Sequence, residues 1–162
     1  MTTHRAIIGL SLLGVADALY MLAYHEGWIG RMWCPFFGDG CEIVGRSPAS
    51  RHAGLPNAAV GAAAYAGMAA LAAIDARAGD GAPGGAAPIS WLPAASRPAL
   101  GLAGISTAAV AASAALTWEM GTRVRAWCFW CLMSAGINAA LCALAWRTVS
   151  EAGGWEPGHR GE

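Results

Sequence analysis

The chain has 162 residues, of which 56% are hydrophobic and only 12% charged, with no formal net charge. A soluble domain carries about 25% charged residues, so this chain has too few to cover a water-facing surface and reads as one membrane domain. Every basic residue is an arginine, balanced by as many acids, so no net field favours nucleic acid.

Four apolar stretches approach the ~20 residues that a membrane-crossing helix needs. They cover about residues 6–24, 55–74, 99–118 and 127–146. The middle stretches are rich in Ala, Gly and Ser, which let helices approach closely in lipid. An all-α bundle of four transmembrane helices is predicted, in one domain over residues 1–150. The first stretch has a second reading as a signal peptide, with Arg5 before it and Ala16-Asp17-Ala18 as a small-residue cleavage triplet. The aspartate inside that triplet and the apolar sequence after it oppose cleavage.

The connections cover residues 25–54, 75–98 and 119–126. The first is the longest; the second is Gly/Pro-rich and then reaches Trp91. Residues 151–162 read as a polar, disordered tail. Trp91, Trp118, Trp127 and Trp146 fall near predicted span ends, where an aromatic belt would sit. Four spans place the first and third connections on one side of the membrane. Charge does not choose that side: Arg5, Arg77, Arg97, Arg147 and Arg160 lie on one face, and Arg31, Arg46, Arg51, Arg123 and Arg125 on the other.

That topology joins two cysteine pairs. "CPFFGDGC" holds Cys34 and Cys41 in the first connection, and "WCFWC" holds Cys128 and Cys131 at the start of the fourth span. Spacing of three puts Cys128 and Cys131 on one helical face. The helix N-terminus, with Arg123 and Arg125 upstream, favours the reactive thiolate. Three readings remain open at this level: structural disulfides, a Cys₄ zinc site, and two dithiols exchanging electrons. The loose first pair and a site at a membrane helix disfavour zinc. Cys142 stands alone in an apolar run and reads as packing. His25 and His52 read as solvated loop residues without metal-ligand spacing.

The ordered set of features resembles the vitamin K epoxide reductase family, particularly its bacterial branch. The set comprises a first span, Cys34 and Cys41, Ser47 six residues later, "GLPNAAVGAAAY" with Asn57, Gly61 and Tyr65 at fourfold spacing, and "CFWCLMSAGIN". The resemblance implies a thiol:quinone oxidoreductase of the bacterial cell membrane, supporting disulfide formation in exported proteins. Its cysteines and the long first connection would lie on the extracytoplasmic side. Electrons would come from a separate thioredoxin-fold dithiol protein to Cys34 and Cys41. Cys41 would pass them to Cys128, and Cys131 to a membrane quinone, ubiquinone or menaquinone, with no metal.

The same resemblance places Asn57 at a quinone carbonyl and Ser47 near the same pocket. Gly61 and Tyr65 would shape the bundle. Val60, three residues past Asn57, is expected on the pocket wall, and Trp130 beside the quinone; plain packing and belt anchoring are their alternatives. Animal members carry a Tyr four residues beyond the second active-site cysteine, where this chain has Ala135, so pocket shape and anticoagulant sensitivity do not transfer. Asp17 lies inside the first span, where a carboxylate is costly. It reads either as a proton carrier or as a residue hydrogen-bonded between helices. Glu119, Arg123 and Arg125 are read as tuners of thiol pKa or as solvated anchors. The other functional readings are a vitamin K quinone or epoxide reductase using the same cysteines, and a disulfide- or zinc-stapled scaffold.

Overall fold

The computed structural model describes residues 2–52, 54–81 and 97–152. Four long helices dominate it: α1 (Thr2–His25), α3 (Asn57–Gly81), α4 (Arg97–Glu119) and α5 (Phe129–Ala152). Each is long and apolar enough to cross a membrane, as the four apolar stretches predict. They close a ring in which α1 packs on α3, α3 on α4, α4 on α5 and α5 on α1. Leu12, Leu13, Leu19 and Ile74 stay exposed on its outside, where lipid would cover them.

The interior pairs large side chains with small ones. Ile7, Met68, Leu102 and Leu141 are fully buried, alongside Ala18, Ala72, Ala99, Ala103 and Ala145. Small residues let the helix axes approach, so dispersion contacts and interhelical hydrogen bonds can hold the bundle where lipid offers no hydrophobic drive. Gly14 shows how tight this is. A Cβ there would sit 2.6 Å from the Tyr65 ring, so the ring of α3 occupies a notch that only glycine leaves open on α1.

The connection between α1 and α3 is folded rather than open. It contains α2 (Gly40–Arg46), a 3₁₀ turn over Pro48–Ser50, and a hairpin pairing β1 (Arg51–His52) with β2 (Leu55–Pro56). Tyrosines of α1 pin it. Tyr20 Oη accepts from the Trp33 amide at 3.0 Å, and Tyr24 Oη accepts from Arg46 Nε at 2.8 Å. The Met32 amide donates to Glu42 Oε1 at 3.4 Å. His25 is the last residue of α1, not a loop residue.

The third span also differs from expectation. It continues past residue 118 through a wide π turn over Met120–Val124. Glu119 and Arg123, whose charges suggested an earlier end, pair at 3.3 Å one turn apart, and pairing lowers the cost of carrying both at a membrane boundary. Arg125, in the left-handed region at φ 53°, then breaks the helix. Trp118, Trp127 and Trp146 are substantially exposed near the span ends; Trp146 Nε1 donates to Thr107 Oγ1 at 3.0 Å. Cys142 Sγ lies 3.6 Å from the same hydroxyl. Trp91 and the tail over residues 153–162 lie outside the described residues.

Candidate active site

Both cysteine pairs come together at one end of the bundle. Cys34 and Cys41 form a disulfide with Cα atoms 5.7 Å apart, while Cys128 and Cys131 are free thiols. Cys41 and Cys128 are buried in one cluster with Met32, Val44 and Met120, and Cys34 and Cys131 pack on its edge. The two pairs differ in access. Cys41 and Cys128 are 0% and 1% exposed, whereas Cys34 and Cys131 are only partly buried.

Two backbone features create this meeting. Gly38, at φ +55°, supplies the turn before α2, where side-chain-bearing residues are disfavoured. Gly40, the first residue of α2, lies directly against the carbonyl of Trp127, and a Cβ at Gly40 would collide with that oxygen. Gly40 precedes Cys41, and Trp127 precedes Cys128, so the contact of these backbones brings the inner cysteine of each pair to one place. On the outer side, Trp130 Nε1 donates to the Trp33 carbonyl at 2.6 Å. That bond ties the head of α5 to the residue before Cys34.

Cys128 caps α5. Its carbonyl accepts from the Leu132 amide at 3.1 Å, and its Sγ accepts from the Cys131 amide at 3.3 Å. This is the bonding of a helix N-cap, with sulfur in place of the usual side-chain oxygen. The Cys128 thiol is held below the ordinary thiol range, first by a hydrogen bond from the Cys131 thiol and then by the backbone amides of Cys131 and Trp130; burial and the Asp17 carboxylate oppose them. Arg123 is 80% exposed in its side chain and paired with Glu119, and Arg125 is exposed. Neither arginine is among the causes of the Cys128 shift.

Below the thiols, Asp17 is buried and its Oδ2 accepts from Ser134 Oγ. Tyr65 Oη donates to the Ser134 carbonyl at 3.1 Å. Beside them, a cavity of about 650 Å³ opens between α4 and α5. Val110, Ser113, Ala114, Trp118, Trp127 and Ala135 line it, with other residues of α4 and its π turn. Asn138 Nδ2 donates to Ser113 Oγ on its wall at 2.8 Å, and the buried Asn138 Oδ1 has no protein partner.

Asn57, Ser47, Val60 and Trp130, the residues expected at the quinone, lie away from this cavity. Asn57 opens α3, with Nδ2 donating to the Ala49 carbonyl at 2.7 Å and Oδ1 2.9 Å from His52 Nδ1. His52 is therefore exposed but bonded rather than merely solvated. Ser47 Oγ donates to the Val44 carbonyl at 2.7 Å. Val60 is 56% exposed. Trp130 packs against Tyr20, Trp33 and Phe129. None of these four lines the α4–α5 cavity. Ser113, Ser134 and Asn138 escaped sequence reasoning; their signal was a polar residue on the buried face of an apolar span.

The disulfide takes two of the four thiolates that a Cys₄ zinc site would need. Among the described residues no cluster of three metal-ligating side chains forms. What the arrangement can do is pass electrons by thiol–disulfide exchange, which requires two pairs that meet. No curated protein matches the chain. Residues 5–146 match the model of the Vitamin K epoxide reductase family, and that match spans most of the molecule, so the chain belongs to the Vitamin K epoxide reductase family and is a membrane oxidoreductase.

Proposed function

We propose that the protein carries electrons from a thioredoxin-fold dithiol partner, through its two cysteine pairs, to a membrane quinone, and so sustains disulfide formation in exported proteins. The graded burial of the cysteines carries this reading. An outside thiolate can reach Cys34 but not Cys41, and Cys41 is positioned to reach Cys128.

The steps follow from thiol–disulfide chemistry. A partner thiolate attacks Cys34 Sγ and displaces Cys41 as a thiolate; the partner's second thiolate then attacks its first sulfur, closing the partner's disulfide and expelling Cys34 as a thiolate. When Cys128 and Cys131 are oxidised, Cys41 attacks Cys128 Sγ and Cys131 departs. Cys34 next attacks Cys41, restoring the first disulfide and expelling Cys128. Hydrogen bonds that lower the Cys128 pKa make it a better leaving group in that last step. Each exchange forms one S–S bond and breaks one, and two electrons move inward.

A quinone, when bound, accepts two electrons and two protons. The α4–α5 cavity suits its ring: the volume lies in the range of small-molecule sites, and the walls are mostly apolar. Ser113 accepts from Asn138, which leaves its own O–H for a carbonyl oxygen. Along α5, Ala135 follows Cys131 by four residues, which puts the cavity wall and the thiol on one helical face. The placement of Asn57 and Ser47 at the quinone rests on family resemblance alone, that of Val60 on its spacing from Asn57 and that of Trp130 on its place in the cysteine motif. The extracytoplasmic position of the cysteines follows from chemistry, because disulfides form in oxidising compartments.

Trapping tests the relay. Cys41→Ala should hold a thioredoxin-fold protein on Cys34, and Cys34→Ala/Cys131→Ala should form an internal Cys41–Cys128 disulfide. Capture of no such partner, or failure of the internal bond, would sink the reading. Ubiquinone, menaquinone and vitamin K epoxide assayed in parallel separate quinone reduction from epoxide reduction, which would use the same cysteines.

A further inference from the structure

Asp17 is a carboxylic acid in the middle of a membrane helix, 4% exposed, and its Oδ1 has no protein partner. A charge there is expensive, and an unpaired buried polar atom adds to the cost. Packing alone does not call for it, because the neighbouring α1 positions Gly14 and Ala18 are filled by the smallest residues. Three helices nevertheless build a setting around it. Ser134 of α5 donates to Oδ2. Tyr65 of α3 donates to the Ser134 carbonyl. Gly14, one turn before Asp17, makes the notch that admits the Tyr65 ring.

The position of this cluster on α5 is the informative point. Ser134 and Ala135 follow Cys131 by three and four residues, so both lie one turn below it, about 5–6 Å away between Cβ atoms. Ser134 leads to Asp17, and Ala135 lines the α4–α5 cavity. Cys131 therefore stands above the seam between a buried acid and the cavity assigned to the quinone. The titratable groups around Asp17 are Cys128, Cys131 and Tyr65.

We propose that Asp17 is the proton carrier of the quinone-reducing step, taking the thiol proton of Cys131 on Oδ1 and returning it to a quinone oxygen. This rests on the thiol:quinone reading above. The balance closes. Cys128 and Cys131 lose two electrons and two protons in becoming a disulfide, and the quinone gains the same number of each. Asp17 ends as it began. The proton that Cys128 releases to water on forming its thiolate is matched by one taken up from water at the same end. Ser134 holds the carboxyl in place, and Tyr65 positions Ser134.

Asp17→Asn tests this with little change of shape, since its side-chain oxygen still accepts from Ser134 but cannot carry a proton. In purified protein it should slow quinone reduction by roughly 100-fold, the usual scale of lost general acid–base catalysis. Exchange of Cys34 and Cys41 with a reduced thioredoxin-fold dithiol should stay at the wild-type rate. A second readout needs no quinone. The infrared difference spectrum between the Cys128–Cys131 dithiol and its chemically formed disulfide should show a shifted carboxylate band, because the Cys131 S–H that Asp17 faces is gone in the disulfide. That band should vanish in Asp17→Asn and shift in Ser134→Ala. Wild-type turnover by Asp17→Asn, or a spectrum without the band, overturns the proposal. A wild-type protein that reduces no quinone refutes the thiol:quinone reading instead, and the infrared arm then decides the role of Asp17 by itself.

Discussion

Gly40 lies so close to the Trp127 carbonyl that no side chain fits between α2 and the strand of chain leading into Cys128. Its φ is not in the left-handed region, so an added methyl acts through contact and not through backbone strain. Gly40→Ala should push α2 outward at the residue before Cys41. Overpacking of this kind costs about 1–3 kcal/mol, and the displacement falls on the cysteine proposed to attack Cys128. We expect Cys41–Cys128 disulfide formation in a Cys34→Ala/Cys131→Ala background to slow by about 5-fold or more, with partner capture on Cys34 unchanged. Equal rates with Gly and Ala at position 40 would show that the contact does not set the approach.

Cys128 should behave as an acidic thiol. Its pKa is lowered first by the Cys131 hydrogen bond, so thiolate persists to lower pH than the ordinary midpoint of about 8.5. The ultraviolet thiolate absorbance of reduced protein, assigned by its loss in Cys128→Ala, should therefore titrate below a free thiol and fall as pH drops through the lowered midpoint. Cys131→Ala removes the first cause, and the midpoint should climb. The linked stability has the same sign. The depressed pKa stabilises the reduced fold above the unfolded thiol's pKa, and that gain is lost as pH falls through the folded one. A Cys128 midpoint at or above the free-thiol value would contradict the capping geometry.

The four spans and the shared face of the cysteine pairs could be read from the chain, because span length and connection parity are local or topological properties. The C-x-x-C at a helix start was legible for the same reason. The Gly40 contact was not, since "CPFFGDGC" displays glycines without showing what they touch. In the fold, Gly38 makes a turn and Gly40 a close approach. The extension of the third span to Val124 was hidden because Glu119 and Arg123 look like a membrane boundary until they are seen to pair. Asn57 was legible only as a residue type; its protein partners, the Ala49 carbonyl and the His52 ring, are set by the fold.

Glycine packing in the spans can be tested by contrast. Gly14→Ala would drive a methyl into the Tyr65 ring, at 2.6 Å before relaxation, whereas a Cβ at Gly9 of the same helix meets nothing within 4 Å. Gly14→Ala should lower the unfolding free energy in detergent by about 1–3 kcal/mol. Gly9→Ala should be neutral or stabilising by up to about 1 kcal/mol, through helix propensity alone. Similar losses at both positions would mean that the α1–α3 interface is looser than the notch implies.

Substitution at Ala135 tests whether the α4–α5 cavity seats the quinone ring. Ala135 is small, it lines the α4–α5 cavity, and it follows Cys131 by one helical turn. Ala135→Leu adds three carbons to a wall that a planar ring would have to face. A pocket that rejects added bulk by a few kcal/mol discriminates by about 10-fold or more, so KM for the quinone should rise by that factor. Exchange between the cysteine pairs should keep its rate, because no cysteine lines this cavity. Val60→Leu serves as the counter-experiment, because Val60 stands 56% exposed on α3 and away from this cavity. If the ring instead lies against Asn57 and Val60, the pattern inverts: Val60→Leu raises KM and Ala135→Leu is silent. The two substitutions thus assign the electron-accepting site to one pair of helices or the other, independently of which quinone the membrane supplies.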